Sequence, residues 1–169
     1  STSDVFGLRE DRVIDESMEY RTWNEPYPDT KIEAAQVAWS YYDQGLPVSM
    51  VYPCWVYGRG DRTFLPLTAD AVIKRDLVFW RKNPLIWPAY IDNVVDLMWL
   101  ISRDKRAIGE DFLVHDGESA TFEDFAAEIA RVFDVRPPSI HIPYWTAMGV
   151  AWVMEKTWKL FQKKMRPLL

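Results

Sequence analysis

The chain has 169 residues, 49% hydrophobic and 27% charged, with a formal net charge of −5. That composition excludes a disordered chain, and the length suffices for one packed core. The acidic balance gives no basis for nucleic-acid binding, and a lone cysteine with two histidines argues against an internal disulfide or a metal site.

Ser1-Thr2-Ser3-Asp4-Val5-Phe6-Gly7 runs a hydroxyl cluster into a short apolar stretch and a glycine, and reads as a strand end over 1–6. Residues 8–26 are polar and charged and read as a loop. From Pro28 to about Gln44, apolar Ile32, Ala35, Val37, Ala38, Trp39 and Tyr42 predict a helix stopped by Gly45. Pro47 to Tyr52 reads as a short buried parallel strand that continues into Pro53-Cys54-Trp55-Val56-Tyr57-Gly58-Arg59-Gly60-Asp61. Residues 59–65 read as a loop, 65–75 as a helix and 77–80 as a short strand. Asp92 is placed to cap a helix over 93–102. A strand over 112–115 and the turn Asp116-Gly117 follow. Thr121 with Asp124 approximates a capping box for a helix over 122–133. After Pro137-Pro138, an extended stretch over 139–142 leads to a last helix over 144–162. Alternating strands and helices predict an α/β fold with a parallel sheet.

Tyr27-Pro28-Asp29-Thr30-Lys31 places a phenol and an ammonium on one helix face. A cation beside a phenol favours its ionised form, which suits proton exchange with an alcohol or ketone. The order of hydroxyl strand-end, Tyr-x-x-x-Lys helix and a strand ending Pro53-x-x-Val56-Tyr57-Gly58-x-Gly60-Asp61 resembles the extended short-chain dehydrogenase/reductase superfamily. This is also called the NAD-dependent epimerase/dehydratase family, and the resemblance covers nearly the whole chain.

The resemblance implies the C-terminal part of a Rossmann-type parallel sheet with an interleaved smaller substrate-binding region. Residues 1–58 would end the nucleotide-binding domain, 59–91 would be a substrate-binding segment, 92–117 would return to the sheet, and 118–169 would supply C-terminal substrate-binding helices. No Gly-x-Gly-x-x-Gly is present, and Gly58-Arg59-Gly60 follows the wrong strand and opens no phosphate-binding helix. The chain therefore reads as the C-terminal part of a larger enzyme, and the isolated 169 residues are expected to be inactive or marginally stable.

By resemblance the cofactor is NAD or NADP, with Tyr27 as general acid/base and Lys31 on the nicotinamide ribose. Thr2 would orient the substrate oxygen, with Ser1 and Ser3 as fallbacks. Pro53, Cys54, Trp55 and Val56 would lie beside the nicotinamide. Tyr52 departs from the family's common Arg. His115 and His141 are read as structural, and Cys54 is a weak nucleophile candidate with no His near it in sequence.

Ser139-Ile140-His141-Ile142-Pro143-Tyr144-Trp145-Thr146-Ala147 resembles the 3β-hydroxysteroid dehydrogenase and sterol-4-carboxylate 3-dehydrogenase branch. The implied activity is oxidoreduction at a carbinol or ketone of an apolar, steroid-like substrate. Nine tryptophans, Trp55, Trp80, Trp87, Trp145 and Trp152 among them, suit such a ligand. A nucleotide-sugar epimerase or dehydratase, using the same Tyr and Lys, is the alternative, and a non-catalytic binding fragment is the third.

In the last helix, Trp145, Met148, Trp152, Trp158 and Phe161 alternate with Lys156, Lys159, Lys163, Lys164 and Arg166. Docking on its own domain is preferred over peripheral contact with a membrane. No uncharged stretch reaches the roughly 18 residues of a membrane span. A cytoplasmic location is expected, and the resemblance allows a homodimer.

Overall fold

The computed structural model describes residues 1–7, 14–80, 85–143, 145–146, 148–149, 152, 154 and 156–158. The elements in chain order are a 3-10 turn (Ser3–Phe6), α1 (Pro26–Tyr42), β1 (Met50–Pro53), β2 (Trp55–Tyr57), α2 (Phe64–Lys74), β3 (Phe79–Trp80), β4 (Leu85–Ile86), β5 (Pro88–Tyr90), α3 (Ile91–Ile101), a second 3-10 turn (Lys105–Ala107), β6 (Asp111–Val114), β7 (Ala120–Thr121), α4 (Phe122–Val132) and β8 (His141–Ile142). They fall into two compact units, one of Ser1–Pro66 with Ile86–Ala120 and one of Leu67–Leu85 with Thr121–Leu169.

In the first unit β1 and β6 pair in parallel, with Met50 opposite Asp111 and Pro53 opposite Val114. At Cys54 the chain changes partner. The Cys54 N–H still bonds the Val114 carbonyl at 3.0 Å, whereas the Trp55 N–H bonds Trp87 at 3.1 Å. β2 then runs parallel to β5, Trp55 to Tyr57 opposite Pro88 to Tyr90. Ile32 and Ala35 on α1 bury against Val5, Phe6, Met50 and Tyr52. The helical spacing of that stripe, extended by Ala38 and Trp39, explains why α1 lies against β1. A second cluster joins Val114 of β6, Ala89 of β5 and Val94 of α3. The other side of α3 leaves Val95, Met98, Trp99 and Leu100 exposed.

The second unit pairs β3 with β8 in parallel, Phe79 opposite His141. The Phe79 ring meets Phe122 at 6.3 Å and His141 at 5.4 Å. Ala126, Ile129 and Ala130 form the buried stripe of α4. Its start matches the predicted capping box, with the Asp124 N–H donating to Thr121 Oγ1 at 3.1 Å.

Two expectations are corrected. The strand over 1–6 is a 3-10 turn from Ser3, with only Thr2 extended before it (φ −151°, ψ 151°). The Thr2 hydroxyl oxygen accepts the Asp4 N–H, and Gly7, at φ 77°, closes the turn through Asp4 O. The helix after Tyr90 starts one residue before Asp92, and Asp92 caps nothing.

The predicted last helix lies largely outside the described residues, as do Lys159, Phe161, Lys163, Lys164 and Arg166. Trp145, Thr146, Met148, Trp152, Met154 and Lys156 to Trp158 are helical. Lys156 Nζ lies 4.8 Å from the Trp152 ring centre, so that cation is held on an aromatic face. Among the described residues no helix is long and apolar enough to cross a membrane.

Candidate active site

Two prolines open α1, where a missing N–H costs no helical hydrogen bond. Glu25 supplies no side-chain cap. Asp29 fastens the entry instead, its Oδ1 accepting the Trp23 N–H at 2.9 Å. This first turn presents Tyr27 to solvent, 58% exposed. Lys31 Nζ stands 5.7 Å from the Tyr27 ring centre, so the predicted pair shares one face. Among the described residues no carboxylate forms an ion pair with Lys31. An exposed phenol beside an ammonium with no ion-pair partner among the described residues forms a donor set suited to hydroxyl groups.

The turn carrying Thr2 lies along the same end of the unit. The Ser1 nitrogen donates to Val51 O at 2.9 Å, which sets the turn beside β1. Ser3 hydrogen-bonds the Cys54 thiol, directly after Pro53. Burial pushes that thiol above its ordinary value, a push Asp4 adds to and the Ser3 bond only partly offsets. Cys54 is thus a protonated, weakly nucleophilic thiol at neutral pH. The turn that carries Thr2 thus lies beside β1 and buries Val5 and Phe6 against α1. Val56 does not share its contacts, because it packs on the cluster of Ala89, Val94 and Val114.

Tyr52 has a clear occupation. It is fully buried, its ring 4.9 Å from Phe6. Its hydroxyl lies 2.6 Å from Tyr20 Oη and donates to Asp111 Oδ1 at 2.7 Å. The Trp39 indole N–H donates to Tyr20 Oη at 3.1 Å. With the carboxylate able only to accept and the indole only to donate, the chain has one polarity. It runs from Trp39 to Tyr20 to Tyr52 to Asp111. Burial first, then both hydrogen bonds, push the Tyr52 phenol far above its ordinary value. This hydroxyl is structural and stays protonated.

Asp116 braces the segment that leads into α3. Its carboxylate accepts the Tyr90 N–H at 3.0 Å, the Asn93 amide at 2.7 Å and the Tyr57 hydroxyl at 3.1 Å. Burial alone would raise this carboxyl, but the Tyr90, Asn93 and Tyr57 bonds outweigh it and hold it below its ordinary value. His115 Nδ1 accepts the Gly117 N–H at 2.9 Å, and the ring meets Trp87 at 4.7 Å. His141 lies between two acceptors, Glu123 at 2.9 Å and Ser139 O at 3.1 Å. The Glu123 bond, then the Ser139 bond, raise it. Sequence reasoning passed over Trp23 and Asp29; the only signal was an aspartate inside the Tyr-x-x-x-Lys stretch.

Residues 1–114 match the NAD dependent epimerase/dehydratase family. The chain belongs to that family. Among curated members, it is 25% identical over 134 residues to a farnesyl dihydroquinoline-oxide ketoreductase of Stigmatella aurantiaca, covering 79% of this chain and 40% of that protein. It is 26% identical to the decarboxylating sterol-4-alpha-carboxylate 3-dehydrogenase of Mus musculus, covering 76% and 38%. It is also 26% identical to the 3beta-hydroxysteroid-dehydrogenase/decarboxylase isoform 1 of Arabidopsis thaliana, covering 95% and 39%. The chain thus spans about two fifths of these relatives' length. Among solved structures, dTDP-glucose 4,6-dehydratase of Bacillus anthracis in complex with NAD superposes with a TM-score of 0.72 at 18% identity, over 85% of this chain and 48% of that one. UDP-glucuronic acid 4-epimerase of Bacillus cereus with NAD gives the same TM-score, identity and coverage. The fold of this family member is accordingly α/β, with parallel strands of the Rossmann type.

Proposed function

We propose that the chain supplies the proton-handling half of an NAD(P)-linked oxidoreductase acting on a secondary alcohol or ketone of an apolar, steroid-like substrate. The observation carrying this reading is Tyr27, exposed at the start of α1 with the Lys31 ammonium over its ring, in a member of this family. When bound, the nicotinamide accepts or delivers the hydride. Tyr27 takes the proton of the substrate hydroxyl during oxidation and returns it during reduction. Lys31 holds the ribose hydroxyls. Thr2 orients the substrate oxygen, and Pro53 bounds the nicotinamide side. Segments 59–91 and 118–169 serve the substrate.

Trp55 supports an apolar substrate. It is 44% exposed, one residue beyond Cys54, and meets Phe64 edge-on at 4.7 Å. The named substrates of the similar ketoreductase and sterol dehydrogenase point the same way. The second reading, a nucleotide-sugar epimerase or dehydratase, draws on the likeness to two solved enzymes of that type. The test uses the full-length protein, the product of the whole open reading frame. Nicotinamide reduction is followed with 3β-hydroxysteroids and, separately, nucleotide-sugar conversion is assayed. Steroid-dependent reduction upholds the reading. Conversion of nucleotide-sugars alone replaces it with the second.

A further inference from the structure

We propose that Trp23 is a positioning residue that locks the turn carrying Thr2 to the helix carrying Tyr27 and Lys31. Its indole N–H donates to Asp4 O at 2.8 Å, and its backbone N–H donates to Asp29 Oδ1 at 2.9 Å. Asp4 is the residue whose own N–H bonds Thr2 Oγ1, at 3.4 Å. Asp29 lies midway between Tyr27 and Lys31. A single residue therefore bonds to both elements, two positions or fewer from each candidate catalytic side chain. Arg21 reinforces the tie, its N–H donating to Val5 O at 2.8 Å. Trp23 is half-buried and lies outside the apolar cluster beneath α1, so hydrogen bonds, more than packing, define its place.

The chemistry demands such a lock. A misplacement of about 1 Å between reacting groups can cost roughly 100-fold in rate. The Ser3–Phe6 turn is only four residues long, and its buried Val5 and Phe6 leave the Thr2–Asp4 side to be set by hydrogen bonds. Asp4 O also accepts the Gly7 N–H within the turn, and the indole bond adds to the packing of Val5 and Phe6 a directional tie from that carbonyl toward the start of α1. Neither Phe nor Leu could supply that donor.

The inference rests on the proposed roles of Thr2, Tyr27 and Lys31, and its test separates the two. In the full-length, cofactor-free protein, Trp23→Phe removes the indole donor and keeps the backbone bond to Asp29. Amide exchange at Val5 and Gly7 should quicken by about tenfold or more, with the α1 amides unchanged. In turnover the same variant should lose roughly 10- to 100-fold in kcat with KM within about twofold. In a Thr2→Val background the loss should shrink to less than about threefold, because coupled positions are not additive. Should Trp23→Phe fail to fold, Asp29→Asn keeps an acceptor for Trp23 and should retain kcat, whereas Asp29→Ala should lose it.

Unchanged exchange at Val5 and Gly7 would overturn the lock. So would an equal loss of kcat in both backgrounds, the mark of a general structural role. Wild-type turnover by Tyr27→Phe would instead overturn the proposed catalytic roles, while the exchange result would still report on the tie itself.

Discussion

Replacing Tyr52 with Phe removes one oxygen from the middle of the Trp39–Tyr20–Tyr52–Asp111 chain and keeps the ring against Phe6. Two hydrogen bonds are lost. The one to the Asp111 carboxylate is worth about 1.5–3 kcal/mol and the one shared with Tyr20 about 0.5–1.5 kcal/mol. Asp111 is half-buried and regains some water, so a net loss of about 2 kcal/mol is expected. The loss should also depend on pH. Burial first, and then Glu16 and Glu110, raise Asp111 above its ordinary value, while the Tyr52 bond opposes them. A carboxyl raised in the folded state favours folding while protonated, and that advantage disappears as pH rises through the raised value. Without Tyr52's hydroxyl the folded value climbs further. The deficit should therefore widen from the ordinary carboxyl range upward and be greater at neutral pH than in acid. Urea unfolding followed by circular dichroism at several pH values measures it. A deficit under about 0.5 kcal/mol at neutral pH, or one that shrinks as pH rises, would refute this account of the chain.

Asp116→Ala should cost about 1 kcal/mol, since it strips Tyr90, Asn93 and Tyr57 of one exposed acceptor. Asp116 is depressed, so its contribution stands above the ordinary carboxyl value and is lost as pH falls through the folded one; the variant should show less acid sensitivity in thermal melts. Gly58→Ala should cost about 1–3 kcal/mol in the same melts, because φ is +129° and a Cβ would come within 2.8 Å of Tyr90 and Ile91 side chains. His141 is raised by Glu123, so its stabilisation is complete below the ordinary imidazole value and fades as pH rises through the raised one. An imidazole NMR titration should show that shift, and Glu123→Gln should move the midpoint back down.

Much of the fold was legible where periodicity and punctuation agreed. Ile32, Ala35 and Ala38 marked the inner face of α1, and Thr121 with Asp124 marked the start of α4. The strand expected over 1–6 was wrong because Thr2 and Gly7, two residues that read equally as strand and turn, close a 3-10 turn through Asp4. Asp92 was a reasonable cap by position. Asp116, 24 residues later, instead holds the Tyr90 N–H and the Asn93 side-chain amide beside that helix start, and such a long-range partner leaves no local trace. The buried Tyr52 chain was equally hidden, since Tyr20, Trp39 and Asp111 come from three separate segments. The Tyr27–Lys31 face was readable because i and i+4 spacing is local. The exposure of Val95, Met98, Trp99 and Leu100 was not, because apolar residues fall on several faces of α3 and the sequence does not say which face packs.

The central claim is that Tyr27 moves the proton. The direct measurement is kcat for nicotinamide-linked steroid oxidation by the full-length protein and by Tyr27→Phe, with circular dichroism confirming that both fold. The account predicts a loss of at least about 100-fold, the usual scale of general acid–base catalysis. Turnover by Tyr27→Phe within a few-fold of the wild type would contradict it.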